Sequence, residues 1–280
     1  MDGLTRRDER EQEATPSPEG AGGGPGHDDG PEDPDRFDFD AVFAPGDYLH
    51  FYGQTLTPER SAREVALIRT LLNLRPGDEV LDLACGHGRL AVPMAELGMR
   101  VTGLDRSEGF LALARQAAAE RGVAVEFVRG DMRRLPWRDR FDGVYNVFTS
   151  FGYFRDEENE QVLEQVARAL KPGGRFLLET QHRDFLLRHM VPYSVIERGD
   201  DFLIDAHSFD PARGRFYTRR TVIRGGTVRR ARFFVRLYTP PEMAALLGRA
   251  GMEVVGFYDE SGAPLSPDSR RMVVVARRPR

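Results

Sequence analysis

Val80-Leu-Asp-Leu-Ala-Cys-Gly-His-Gly-Arg89 is a short apolar strand that passes through an acid into a Gly-x-Gly turn, and the helical run Leu90 to Leu97 follows it. Glycine suits such a turn because the chain reverses tightly and a ligand can approach bare backbone, while the helix N-terminus offers unpaired N–H groups. The pattern describes a nucleotide-type cofactor site. Taken alone it also fits a dinucleotide fingerprint, since Gly86-His87-Gly88-Arg89-Leu90-Ala91 has the G-x-G-x-x-G/A form.

Outward from this stretch the chain alternates strand and helix. Met99 to Asp105 reads as a second strand ending in an acid, and Val125 to Met132 as a third, again reaching an acid at Asp131. Phe141 to Phe148 is a fourth, and Arg175 to Glu179 a fifth, preceded by Leu170-Lys-Pro-Gly-Gly174, whose Pro and Gly mark a helix end. Such alternation predicts a parallel, doubly wound sheet with ligands at the carboxyl ends of its strands, where the three acids sit. A carboxylate at Asp82, inside the strand and before the glycines, pairs with a cationic ligand end and repels a pyrophosphate. The dinucleotide reading also leaves Asp131 without a role.

Asp82-x-Ala84-Cys85-Gly86-x-Gly88, Asp105, Gly130-Asp131-Met132, Phe141-Asp142 and Leu170-Lys-Pro-Gly-Gly174 together resemble the ordered motifs of class I S-adenosylmethionine-dependent methyltransferases. The resemblance covers Glu64 to Glu179, and more loosely Tyr238 to Arg277. It implies a mostly parallel, seven-stranded Rossmann-like sheet closed by an antiparallel C-terminal hairpin, and S-adenosyl-L-methionine as cofactor. By the same resemblance Asp82, Gly86 and Gly88 hold the methionine part, Asp105 the ribose, and Asp131 with Met132 the adenine. Tyr52, Ala84, Cys85, Arg106 and Asn146 complete the implied cofactor set.

Bulk properties narrow the function. The 280 residues, 40% hydrophobic, suffice for one large α/β domain with an addition. The formal charge of −4 is concentrated at the N-terminus, where residues 1–36 hold eleven acids against four arginines. The remainder is nearly neutral, so no general affinity for nucleic acid follows. A single cysteine, Cys85, excludes an internal disulfide and a multi-cysteine zinc site. No leader or spanning run is visible, so no membrane partner and a cytoplasmic location are expected. Lys171 is the only lysine, which tells more of base composition than of selection for guanidinium chemistry.

Residues 1–35 are Gly, Pro, Asp and Glu with scarcely any apolar side chain, and read as a disordered acidic tail. Residues 36–75 form an aromatic and helical cap: Phe37 to Tyr52 is too aromatic to remain in water, and either folds over the cofactor cleft or simply packs on the domain. Thr57-Pro58 then starts a helix that ends near Asn73. The core spans 76–181 and returns at 239–280. Between them, 182–238 is a β-rich insertion, in which Gly225-Gly226 reads as a two-residue hairpin turn.

Pairing outward from that turn sets Arg219 opposite Arg232 and Arg215 opposite Arg236 on one face, with Phe216, Val222, Ala231, Phe233, Val235 and Leu237 on the other. Opposed like charges disfavour a sheet, so the arginine face needs acidic neighbours, for which Glu197, Asp201 and Asp205 are candidates, or an anionic ligand. The apolar face is expected against the main domain, as a substrate lid, or against a second subunit, as a homodimer contact.

Only an acceptor that must lose a proton needs a base. Asn146 to Phe154 follows the fourth strand, where acceptors sit in the resembled family, and lacks the Asn/Asp-Pro-Pro-Tyr/Phe motif of enzymes that methylate exocyclic base amines. An aromatic, hydroxyl-bearing loop suits a small organic acceptor, methylated on oxygen or nitrogen. His182, just past the fifth strand, and Tyr153 are the leading catalytic candidates, followed by His207 and Tyr238. His87 lies within the glycine turn, where it positions backbone. No metal is expected, because Asn146 and Glu179 do not supply a cluster of acids. The competing functions are an RNA methyltransferase using the arginine hairpin and a non-catalytic cofactor-binding subunit.

Overall fold

The computed structural model describes residues 36–280, and the tail expected over 1–35 lies outside the described residues. The N-terminal segment forms α1 (Phe39–Val42), α2 (Pro45–Tyr52) and α3 (Pro58–Leu72). The last begins at Thr57, whose Oγ1 accepts from Arg60 N at 3.2 Å, and stops at Asn73 in the left-handed region with φ of 56°. Next come β1 (Glu79–Leu83), α4 (Ala91–Glu96), β2 (Arg100–Asp105), α5 (Glu108–Glu120), β3 (Val125–Arg129), β4 (Phe141–Asn146), α6 (Asp156–Ala169) and β5 (Leu170–Gln181). A short α7 (Arg183–Arg188) leads to β6 (Tyr193–Arg198), β7 (Asp201–Asp210), β8 (Arg215–Arg224) and β9 (Thr227–Arg236). The chain closes with α8 (Pro240–Arg249), β10 (Glu253–Tyr258) and β11 (Arg271–Arg277).

The main sheet has seven strands in the order β3-β2-β1-β4-β5-β11-β10, the first five parallel and β11 antiparallel to both its neighbours. Its side chains alternate between two cores. Val80, Tyr145, Leu177 and Val275 pack on α3 and α4 through Val65, Ile68 and Met94, while Leu81, Val144, Phe176 and Leu178 pack on α6 and α8 through Val162, Val166 and Met243. Burial on both faces explains why these strands read as continuous apolar runs, each fully buried Leu or Val contributing roughly 1.5–3 kcal/mol. Strand order reverses between β1 and β4, and a crevice opens at their carboxyl ends.

One boundary differs from the sequence reading. Lys171-Pro-Gly-Gly174 lies within β5, as an irregularity in its pairing with β4 between Phe141 and Gly143, and the strand runs on to Gln181. Pro and Gly mark a bulge here as well as a helix end.

The insertion is a separate antiparallel sheet, β6-β7-β8-β9. Gly225 and Gly226 both take positive φ, 54° and 75°, as a two-residue turn between right-twisted strands demands, and Arg219 pairs with Arg232 and Arg215 with Arg236. Of the carboxylates expected to neutralise that face, Glu197 shares it by register, opposite Phe202 and Ile223. Asp205 and Asp201 fall on the opposite face by register, where they meet Arg220 and Arg224. On the arginine face Arg236 reaches Glu242 at 2.8 Å and Asp156 at 3.4 Å, Arg215 lies over the Phe234 ring, and Arg219 stands in solvent that screens it.

The inner face lies on the same chain. Leu203 and Val222 pack on Phe51 of α2, and Phe216, Val235 and Leu237 pack with Tyr153 and Leu186. No helix among the described residues is long and apolar enough to cross a membrane.

Candidate active site

A cavity of about 970 Å³ opens at the reversal of strand order. Its floor comes from the ends of β1, β2 and β3, one wall from the loop after β4, and its roof from α1, α2 and the inner face of β7, β8 and β9. Tyr52, Asp82, Ala84, Cys85, Gly86, Asp105, Arg106, Asp131 and Met132 of the implied cofactor set all line it.

The turn after β1 is shaped for close approach. Ala84, Gly86 and Gly88 all have positive φ. Gly88 faces away from the cavity, and a Cβ there would come within 3.0 Å of Ala114 Cβ, so this glycine lets the turn sit down on α5. Asp105 holds the turn from the next strand, its Oδ2 accepting from Gly86 N at 2.9 Å and its Oδ1 from Ser107 N at 2.8 Å. Burial raises the Asp105 carboxyl, with those two N–H groups opposing the shift. Asp82 is only 3% exposed, and burial pushes it up to about 7 against the influence of Tyr145 and Arg89. Asp131 is held below the ordinary carboxylate range by the Arg133 guanidinium, which binds both its oxygens. Arg106 pairs with Asp40 at 3.6 Å and lies over the Phe39 ring. Burial and the neighbouring Arg89 drive His87 down to about 4, which keeps it neutral.

The roof is aromatic and its charges are matched. Phe37, Phe39, Phe43 and Tyr153 form one ring cluster, and Tyr48 packs between Tyr52, at a tilt, and Phe110, edge-on. Arg220 donates to Asp205 Oδ1 at 2.9 Å and Oδ2 at 2.8 Å, and its Nη2 donates to the Tyr52 hydroxyl at 2.8 Å. Arg271 pairs with Glu179 and donates to Thr149 Oγ1 at 2.6 Å. His207 sits between two hydroxyls, with Thr218 Oγ1 3.2 Å from Nδ1 and Ser194 Oγ 3.0 Å from Nε2.

Four expectations are corrected by placement. His182 lies outside the cavity, 4% exposed, with Nδ1 2.8 Å from the Ser269 carbonyl oxygen. Because β5 extends to Gln181, that residue lines the cavity and His182 falls beneath the Ser266–Ser269 turn. Asn146 is wholly buried behind the floor, where Nδ2 donates to the Leu83 carbonyl oxygen at 2.8 Å and ties β4 to β1. Tyr238 is buried in the core with its hydroxyl accepting from Asn159. Gly88 packs on α5, as described. Tyr153 does line the cavity, but burial raises its phenol well above the ordinary value of 10.0, so it stays a neutral hydroxyl.

Sequence reasoning missed Arg220, Thr218 and Arg271 as lining residues. The signal for Thr218 is its register opposite His207, and for Arg271 its register opposite Gln181, both set by strand pairings not extended that far.

A sheet order of this kind, with an acid-lined crevice at its reversal and a Gly-x-Gly turn after β1, defines a class I methyltransferase. Residues 80–174 match the family model of the methyltransferase domain. The cypemycin N-terminal methyltransferase of a Streptomyces species is 31% identical over 208 residues, covering 72% of this chain and 84% of that one. The CcbJ methyltransferase of Streptomyces caelestis superposes with a TM-score of 0.68 at 26% identity, over 80% of this chain and 91% of that one. A putative methyltransferase of Bacillus subtilis, YqeM, is 33% identical over 124 residues, 44% of this chain. The chain spans about half the length of that protein and of a similar one from Geobacillus. The chain belongs to the class I S-adenosylmethionine-dependent methyltransferases. It is an enzyme whose cofactor is S-adenosylmethionine, a ligand carrying the cationic end that the buried Asp82 carboxylate and the open Gly86 turn fit.

Proposed function

We propose that the protein transfers the methyl group to an amine nitrogen of a small or peptide-like molecule held beneath the aromatic roof. The observation that carries this reading is the division of one cavity into an acid-lined floor and an aromatic roof whose Asp205 is already paired with Arg220. A cation placed among Phe39, Phe43, Tyr48, Tyr52, Tyr153 and Phe233 is attracted by their ring faces, each contact worth about 0.5–2 kcal/mol depending on desolvation. The product of nitrogen methylation keeps that charge. The cypemycin enzyme acts, by its name, at an N-terminus.

In this reading Asp82 faces the methionine end of the cofactor, the remaining lone pairs of Asp105 take the ribose hydroxyls, and Asp131 with Met132 flanks the adenine. The cofactor supplies an already activated methyl carbon. The chain's own residues bind and orient: α1 and α2 line the cavity from above, and Tyr153 offers a neutral hydroxyl. An RNA acceptor finds no support in the hairpin, because Arg219 and Arg232 lie on the sheet face turned from the cavity. We place the reaction in the cytoplasm, the compartment that makes the cofactor.

The test is turnover with S-adenosylmethionine and a panel of glucosamine, benzylamine and glycylglycine, with catechol as the hydroxyl counterpart, read by mass as one added methyl. Methylated amines are the expected products. Methylated catechol with every amine untouched would replace nitrogen by oxygen.

A further inference from the structure

At neutral pH an amine acceptor arrives as an ammonium, since α-amino and lysine-type amines lose their proton only near about 8 and 10 respectively. Its nitrogen has no lone pair to form a bond until that proton leaves. The carboxylates nearest the roof are engaged, Asp205 by Arg220, Glu179 by Arg271 and Asp40 by Arg106. Besides the Tyr52–Arg220–Asp205 set, a second connected line of polar groups runs from the roof through Thr218, His207 and Ser194. Thr218 is 3% exposed and lines the cavity, as does His207, which stands directly opposite it across the β7–β8 pair. Ser194 lies on β6, the edge strand, and is half-buried. The two contacts, 3.2 and 3.0 Å, engage both ring nitrogens of the same imidazole.

We propose that Thr218, His207 and Ser194 form a proton path from the methyl acceptor, across the second sheet, to solvent at its edge. Thr218 is the group that touches the acceptor, and His207 is a relay behind it. The acceptor ammonium gives a proton to Thr218 Oγ1 as the hydroxyl's own proton passes to His207 Nδ1. The imidazolium then releases its Nε2 proton through Ser194 Oγ to water, and proton exchange with water returns the neutral ring to its Nε2–H form before the next turnover. The lone pair left on the acceptor nitrogen forms the N–C bond, the methyl carbon's bond to sulfur breaks with its electrons on sulfur, and charge balances with one proton released per methyl transferred. The path requires neutral His207 to carry its proton on Nε2 and accept from Thr218 at Nδ1, which leaves the threonine oxygen free to receive. Burial lowers the His207 pKa and supports a neutral resting ring; the charges bearing on it, Asp205 and Arg220, oppose one another. Phe216 packs at 5.1 Å from its centroid and fixes the ring plane.

This inference rests on the proposed amine acceptor, and its first test is independent of turnover. In nitrogen-15 histidine spectra of the full chain with S-adenosylhomocysteine, the His207 signals are identified by their loss in His207→Gln. They should report the Nε2–H tautomer and a pKa below 6.5, with both altered in Thr218→Val. The Nδ1–H tautomer would point the hydroxyl the wrong way and overturn the path. The second test is the pH profile of kcat/KM from pH 6 to 10 for whichever panel amine the wild type methylates fastest. His207→Gln and Thr218→Val should each lose about 10-fold or more at pH 7, converge on wild type near pH 10 where the amine deprotonates unaided, and show no further loss when combined. Wild-type rates at pH 7, or a loss equal at every pH, would overturn it. Affinity for S-adenosylhomocysteine should stay unchanged in both variants. A wild type that methylates no amine refutes the proposed acceptor, and the spectra alone then decide the path.

Discussion

Asp82 carries two opposed duties. It is buried at the end of a core strand, and its carboxyl is raised from 3.8 to about 7 by desolvation. A group raised in the folded state binds more protons there than in the unfolded chain. Its contribution to stability is therefore full below about 4 and is lost as pH rises towards 7. Asp82→Asn should raise the melting temperature of the ligand-free protein at pH 8 by a few degrees, at roughly 2–4 °C per kcal/mol for a chain of this size, and leave it unchanged at pH 4. The same substitution should weaken S-adenosylmethionine binding and flatten its pH dependence, because wild-type affinity falls as pH drops below about 7 and the carboxylate is neutralised. Calorimetric titration at pH 6 and 8 checks both signs. Asp105→Ala should cost cofactor affinity on the order of 10²-fold, since it removes two charge-assisted hydrogen bonds of about 1.5–3 kcal/mol each and also frees the Gly86 turn it restrains.

At the level of elements, the inner face of the second sheet is held by a buried ion pair. Asp205 and Arg220 are 9% and 8% exposed, and the guanidinium spans from β7 to the Tyr52 hydroxyl of α2. Removing one partner leaves the other charge buried, so Asp205→Asn should cost about 3–5 kcal/mol in denaturant unfolding, whereas the pair Asp205→Leu with Arg220→Met should recover most of that loss. Elements of this kind were only half legible in sequence. The order and type of the strands, the start of α3 at Thr57 and the hairpin register at Gly225-Gly226 were readable because each rests on local periodicity or turn chemistry. The strand-end acids were readable for the same reason. His182 was misplaced because β5 runs two residues beyond its apolar stretch, a length fixed by pairing with β11. Arg220 and Thr218 escaped notice because their partners come from other segments, and nothing local distinguishes an arginine that meets Asp205 from one in solvent.

For the whole molecule, cofactor binding and folding are linked. A ligand that binds only the folded chain stabilises it by about 2.7 kcal/mol at one hundred times its dissociation constant, which corresponds to a melting-temperature rise of roughly 5–10 °C. S-adenosylhomocysteine should produce that rise in a thermal titration. NAD should not, because its pyrophosphate would meet Asp82. Equal stabilisation by both ligands would mean that the Gly86 turn binds phosphate and that the strand-end acids do not select the ligand.

The clamp that holds α1 and α2 over the cavity is built from residues far apart in sequence. Asp47 meets Arg224 and Arg229 across separations of 177 and 182 residues, and Asp38 meets Arg232 across 194. During synthesis at about 5–20 residues per second, the first helices therefore leave the ribosome roughly ten seconds or more before β8 and β9 exist to receive them. Loops of that length close late, after the local contacts of the sheet have formed. The order of assembly is thus floor before roof: the nascent enzyme passes through an uncovered state in which the cofactor crevice stands open, and closure over the acceptor chamber is the final event of its folding.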